Sequence, residues 1–177
     1  MSNLWELIQE LKDKIFQREK PEEKPERSEA FKEALQFVLK WEGFISDISD
    51  EKDDPGGLTI WGISSRYNPQ EVAEMKRLID EGKKDEAFKI CEKTYKDKYW
   101  DRAKCYDYHQ EMAMVMFEFA VNPGIGALGI ALKEYPTDWK DLLLKRIKYF
   151  SDKNNKAKIR GWVRRCVDLY DYIEGIA

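Results

Sequence analysis

The sequence predicts a mostly helical α+β domain with a small β-hairpin beside an active-site cleft. Three observations support this prediction. Apolar residues recur at helical spacing over most of the chain. A single short run, LTIWGIS at 58–64, has the composition of a strand, so any sheet is small. A turn sequence, Asp54-Pro55-Gly56-Gly57, comes directly before that run.

Length and composition fit one domain of ordinary size with a small appendage. Of the 177 residues 42% are hydrophobic and 37% are charged, and the charges nearly cancel at −3. Basic and acidic residues alternate and form no basic face, so we expect no nucleic-acid partner. Three widely spaced cysteines (Cys91, Cys105 and Cys166) argue against a disulfide framework. The single histidine, His109, argues against a histidine metal site, and we expect neither a metal nor a cofactor.

The appendage lies at the N-terminus. Residues 1–18 carry apolar side chains at helical spacing and predict an amphipathic helix, while 19–27 are charged, contain prolines and predict a linker. The helix is expected to pack on the main domain, to associate with a second copy or to lie on a membrane surface. The start of the chain lacks the apolar core of a signal peptide, and no stretch reaches the roughly 20 apolar residues of a membrane span. We therefore expect synthesis in the cytoplasm.

The main domain, 28–133, is predicted as a series of helices interrupted by the short strand. Ser28 is a plausible N-cap of the first helix, and Gly43 suits the position where that helix stops. After the strand, Asn68-Pro69 opens a helix that Gly82 closes. Residues 108–121 are apolar nearly all round and predict a buried central helix. Further helices are predicted at about 84–98, in a short stretch ending near 133, and, in a C-terminal segment 134–177, at 138–152 and 157–173.

Glu42, at the end of the first predicted helix, is a candidate proton donor. Hydrolysis of a glycosidic bond needs such a donor and a charged partner across the sugar ring. The negative end of the helix dipole and the flanking Trp41 and Phe44 would favour a neutral carboxyl. The alternative is an ordinary solvated glutamate at a helix end.

Asp54 is the candidate partner, because a rigid turn would hold its carboxylate in place; the alternative is a plain turn aspartate. Thr59 is expected either to position a water or sugar or to face outward from the strand. Glu118 lies in the most apolar helix and is predicted to be a buried, paired carboxylate, with a place in the lining of the cleft as the alternative. Asn122 is either a residue of the helix C-terminus or a donor to substrate.

These residues fall in a pattern that resembles glycoside hydrolase family 108, bacterial and phage N-acetylmuramidases with a lysozyme-like fold. The matching residues are Phe31, Val38-Leu39, Glu42-Gly43, Asp54-Pro55-Gly56-Gly57, Thr59 and Gly62-Ile63. Weaker matches follow at Tyr95, Tyr99-Trp100 and residues 117–122. Arg146, Tyr149-Phe150, Gly161-Trp162 and Arg165 resemble a C-terminal segment of that family described as peptidoglycan-binding.

The resemblance implies hydrolysis of the β-1,4 bond between N-acetylmuramic acid and N-acetylglucosamine, with peptidoglycan strands as partner. It assigns catalysis to Glu42, Asp54 and Thr59. Candidate sugar-binding residues are Trp61, Tyr67, Trp100 and Asn122, although each of the aromatic residues could equally belong to the core. The chain departs from the family at Phe44, where a second glycine is usual, and at Glu118, where aspartate is usual.

Two other functions are open at this point. The two acids alone also suit a hydrolase of chitin or chitosan, and the fold would also suit a non-catalytic cell-wall-binding or assembly protein. A wall hydrolase made without a signal peptide would act on the cell wall or in the periplasm after release or export.

Overall fold

The computed structural model describes residues 25–42, 48–49, 57–134, 136–153 and 158–175. The predicted N-terminal helix at 1–18, most of the predicted linker, Phe44 and Asp54 lie outside these residues. The described part contains seven α-helices: α1 (Pro25–Glu42), α2 (Pro69–Asp80), α3 (Lys84–Tyr95), α4 (Gln110–Phe119), α5 (Ile125–Leu132), α6 (Trp139–Asp152) and α7 (Ile159–Glu174). It also contains strands β1 (Ile48–Ser49), β2 (Thr59–Ile60) and β3 (Ile63–Ser64). The predicted α+β, mostly helical class is confirmed.

Helix α1 includes Pro25, three residues before the start predicted at Ser28. Proline is tolerated in the first helical turn, where its missing N–H has no partner to lose. Residues 25–27, which we assigned to the linker, are therefore helical. The far end of α1 is Glu42, as predicted.

The sheet is a small antiparallel one in the order β1-β2-β3. Ile48 pairs with Ile60, and Ile60 pairs with Ile63. The prediction of one strand over 58–64 is wrong, because the chain reverses at Trp61 and Gly62, whose φ angles are 49° and 77°. Two successive residues with positive φ make the tight turn that suits the right-handed twist of a hairpin.

Helix α4 is the central helix, as predicted. Residues 113–120 are all buried, and α4 packs against α1 and α6. A π-helical turn, Ala120–Gly124, joins it to α5. The combined stretch Gln110–Leu132 is long and apolar enough to cross a membrane, contrary to our expectation that no stretch would be. In the structure α4 forms the middle of the core, which accounts for its apolar composition.

Helices α6 and α7 share the hydrophobic core of α1–α5. Their buried residues include Leu142, Phe150 and Leu169. The rings of Phe37 on α1 and Tyr172 on α7 lie 5.4 Å apart. The C-terminal segment therefore packs directly on the helix that ends at Glu42.

Candidate active site

Glu42, the last residue of α1, is the candidate acid at the centre of the site. Its side chain is 25% exposed, so it is reachable from solvent while most of its surface is covered. One carboxylate oxygen accepts a hydrogen bond from Arg165 Nη1 at 2.5 Å. The same guanidinium lies 5.9 Å from the ring centre of Trp41. The sequence analysis considered only the helix end and the flanking Trp41 and Phe44, and the structure adds a buried cation, Arg165, beside Glu42.

The β2–β3 hairpin packs its backbone against Glu42. A Cβ atom placed on Gly62 would lie 2.7 Å from Glu42 Cβ and 2.6 Å from the hydroxyl oxygen of Tyr95. Both distances are shorter than a non-bonded contact allows, and φ of +77° disfavours a side chain independently. Glycine at this position therefore lets the hairpin approach the candidate acid.

Two tyrosines adjoin the carboxylate. Tyr95, on α3, is buried and donates its hydroxyl proton to the carbonyl oxygen of Trp61 at 3.1 Å, which fixes the hairpin turn. Burial, followed by the negative charge of Glu42, raises the pKa of Tyr95 well above its ordinary value. Half-buried Tyr99 has a raised pKa for the same two reasons in the same order. Both hydroxyls therefore stay neutral donors at physiological pH.

Behind Arg165 lies a buried group of charges. Glu118 on α4 is 1% exposed and accepts hydrogen bonds from Arg165 Nη2 and from Arg146 Nη2, each at 2.6 Å. Arg146 comes from α6 and Arg165 from α7. The prediction that Glu118 is a buried, paired carboxylate is confirmed. Buried charges persist when they are paired in this way.

Three other predicted site residues, Thr59, Tyr67 and Asn122, make no described contact with these charged residues. Thr59 is half-buried and its hydroxyl donates to the Gly57 carbonyl oxygen at 3.3 Å. Tyr67 is 74% exposed, with the Arg66 guanidinium 5.6 Å from its ring centre. Asn122 is half-buried in the π-helical turn after α4. No described contact joins any of the three to Glu42.

Trp61 and Trp100 belong to the core, 1% and 3% exposed. The ring of Trp61 lies 5.4 Å from that of Phe88, and the ring of Trp100 lies 5.4 Å from that of Phe117. Of the two alternatives stated for these residues, core packing is the one observed. Neither ring offers a face on which a sugar could stack.

Neither a nucleophilic cysteine nor a metal-binding cluster emerges in the described ranges. All three cysteines are buried and free, and burial raises the pKa of the Cys91 thiol to about 12. His109 is exposed, directly before α4. Among the residues described, no group of three or more His, Cys, Asp or Glu side chains could hold a metal ion.

Sequence reasoning missed Arg165 as a contact of Glu42, although it noted Arg165 in the C-terminal pattern. A signal was present. In α7 the buried residues Arg165, Cys166, Leu169 and Ile173 recur at helical spacing, which places an arginine on the apolar face. A charged residue at such a position indicates a buried ionic partner.

Comparison with models of protein families shows the family to which the chain belongs. The model of the family described as Glycosyl hydrolase 108 matches residues 35–124, just over half of the chain. Comparison with curated proteins gave no match, and comparison with solved structures gave none either. The matched range contains Glu42, the hairpin, Tyr95 and Glu118, and ends before Arg146 and Arg165. The chain belongs to the glycosyl hydrolase 108 family and is a glycoside hydrolase of lysozyme-like, α+β fold.

Proposed function

We propose that the protein is an N-acetylmuramidase that cleaves the β-1,4 bond between N-acetylmuramic acid and N-acetylglucosamine in peptidoglycan. Family membership supports a peptidoglycan-degrading glycosidase. The observation that carries the proposal is the setting of Glu42, a partly exposed carboxylate held between a glycine of the hairpin and a buried arginine.

In the proposed reaction, Glu42 in its neutral form protonates the glycosidic oxygen as the bond to the sugar breaks. Proton transfer leaves a negative charge on Glu42. Arg165, which is already hydrogen-bonded to that side chain, stabilises this charge without having to move. Asp54 is assigned to the positive charge that develops on the sugar ring, either directly or by activating a water.

Substrate contacts are assigned to Tyr67, Thr59 and Asn122, the predicted sugar-binding and polar residues that keep some exposure to solvent. Tyr67 offers an open ring face for stacking on a sugar. Thr59 and Asn122 would contribute hydrogen bonds to the glycan or to a water, since both are half-buried and polar. Peptidoglycan lies outside the cytoplasmic membrane, so the enzyme would act after release or export.

Digestion of purified peptidoglycan tests the reaction and the role of Glu42 together. We would compare wild type, Glu42→Gln and Glu29→Gln, since Glu29 is an exposed glutamate on the same helix. Wild type and Glu29→Gln should release glycan fragments, and Glu42→Gln should be slower by about a hundredfold to ten-thousandfold. Digestion by Glu42→Gln at the wild-type rate would contradict the assignment.

The new chain ends identify the bond. Borohydride reduction followed by analysis of the fragments should yield reduced N-acetylmuramic acid. Reduced N-acetylglucosamine would instead show cleavage of the other glycosidic bond. Faster hydrolysis of chitin or chitosan oligosaccharides than of peptidoglycan would favour the chitinase-like alternative.

A further inference from the structure

We propose that Arg165 is a positioning residue for Glu42, fixed in place by Glu118 and Arg146, so that the active site extends into the C-terminal helices α6 and α7. This inference rests on the proposed function for its consequence in catalysis. It concerns residues beyond the matched range 35–124.

Arg165 contacts Glu118 and Glu42 through different edges of its guanidinium. Nη2 donates to Glu118 Oε1 at 2.6 Å and Nε donates to Glu118 Oε2 at 3.0 Å, which is a bidentate contact. Nη1 remains for Glu42 at 2.5 Å. Arginine supplies five donors in a rigid plane and can hold two carboxylates at once, whereas a lysine has a single ammonium. Glu118 thus sets the direction in which Arg165 meets Glu42.

Arg146 supports this arrangement from the far side. It is fully buried and donates to Glu118 Oε2 at 2.6 Å and to Cys166 Sγ at 3.4 Å. Its guanidinium also lies 5.3 Å from the ring centre of Phe150. Glu118 is therefore held by cations from two helices, and its side chain has no freedom to turn away.

The net charge of Glu118, Arg146 and Arg165 explains why a second carboxylate, Glu42, adjoins them. Glu118 carries one negative charge against the two positive charges of Arg146 and Arg165, which leaves one positive charge buried. A carboxylate at Glu42 balances that charge. The group therefore supplies a positive charge for the carboxylate that proton donation to the substrate leaves on Glu42.

Among the residues that the structure describes, the other groups that adjoin Glu42 carry no positive charge. Tyr95 and Tyr99 are neutral, and the hairpin presents the backbone of Gly62. Burial tends to lower the pKa of Arg165, but Glu118 and then Glu42 raise it to a net value above normal, so the guanidinium stays charged.

The test measures kcat and KM of peptidoglycan hydrolysis for wild type, Arg165→Met and Arg165→Lys, with Arg164→Gln as the control on an exposed neighbour of the same helix. The kcat of Arg165→Met should fall about tenfold to a hundredfold, with KM little changed, because Glu42 loses the hydrogen bond that positions it. Arg164→Gln should match wild type.

Arg165→Lys keeps the charge but loses the double contact. Its kcat should lie between that of Arg165→Met and that of wild type. If Arg165→Met does not fold, Arg165→Lys decides alone, since a lysine variant with wild-type kcat would overturn the proposal. A folded Arg165→Met protein with the kcat of wild type would overturn it as well.

A measurement without substrate separates this inference from the proposed function. Urea midpoints would be determined for Glu42→Gln, Arg165→Lys and the double variant. Coupled side chains should give a double variant less destabilised than the sum of the single changes, whereas additive changes would refute the contact. Wild type could fail to degrade peptidoglycan while the effects of Glu42→Gln and Arg165→Lys on the urea midpoint are coupled. In that case the proposed function is wrong and the contact between Arg165 and Glu42 is confirmed.

Discussion

The backbone of Gly62 lies directly against the side chain of Glu42. This contact limits where the carboxylate can point, and it explains why a residue without a Cβ occupies the turn. The hairpin and the candidate acid are therefore coupled at the level of single atoms. Any side chain at this position must displace Glu42, Tyr95 or the turn itself.

We expect Gly62→Ala to destabilise the fold by about 1 to 3 kcal/mol from backbone strain alone, with further loss from the clash. Activity should fall more than stability at temperatures where the protein stays folded, because Glu42 is pushed from its position beside Arg165. Urea unfolding and peptidoglycan turbidity assays measure the two effects.

Gly129→Ala is the matched control. Gly129 lies in α5 with ordinary φ and nothing within 4 Å of an added Cβ. Alanine there should stabilise the helix by up to about 1 kcal/mol and leave activity unchanged. If Gly62→Ala behaved like this control, the close approach of the hairpin to Glu42 would be wrong.

At the scale of elements, the helices were predictable and the hairpin was only partly so. Predicted and observed bounds agree to within two residues for α2, which was located by its end signals Asn68-Pro69 and Gly82, and for α6 and α7. The turn at Trp61 and Gly62 was missed because Trp-Gly is not a usual turn pair and apolar residues occur on both sides of it. The turn depends on a tertiary hydrogen bond, from Tyr95 to the Trp61 carbonyl, that no local pattern reveals.

The buried charges of Glu118, Arg146 and Arg165 show that the site, too, could be predicted from the sequence only in part. Each of Glu118, Arg146 and Arg165 occupies a buried face of its own helix, so each was recognisable as anomalous in the sequence. Only Glu118 was interpreted in that way. Which charges meet depends on how three helices pack, and spacing within one helix does not determine it.

Two substitutions in helix α7 test how this helix packs on the core. Leu169 is fully buried, and Leu169→Ala should cost about 2 to 5 kcal/mol. Val167, on the same helix, is 49% exposed, and Val167→Ala should change the free energy of unfolding by less than about 0.5 kcal/mol. Chemical denaturation of the two variants checks this, and equal effects would contradict the observed packing of α7.

At the scale of the molecule, one hydrophobic core joins α1 to α7 in the described part of the chain. The predicted boundary near 133 therefore separates two segments of sequence that share this core. We interpret α6 and α7 as part of the catalytic domain. This interpretation agrees with the position of Arg146 and Arg165 behind Glu42.

The three cysteines can be used to test whether α6 and α7 unfold together with the rest of the domain. Cys91 on α3, Cys105 before α4 and Cys166 on α7 are buried and free, and burial raises the pKa of all three thiols. In rising urea a thiol reagent should label the three together, at the concentration where the whole molecule unfolds. Labelling of Cys166 at a clearly lower concentration, read by peptide mass spectrometry, would show a separate C-terminal unit.

The central claim is that Glu42 protonates the leaving oxygen. Its most direct test is kcat/KM for wild type and Glu42→Gln on two aryl glycosides of the peptidoglycan disaccharide, one releasing phenol and the other dinitrophenol. Dinitrophenolate departs without a proton, so Glu42→Gln should lose about a hundredfold or more on the phenyl glycoside and keep most of its rate on the dinitrophenyl one. Equal losses on both substrates would contradict the claim.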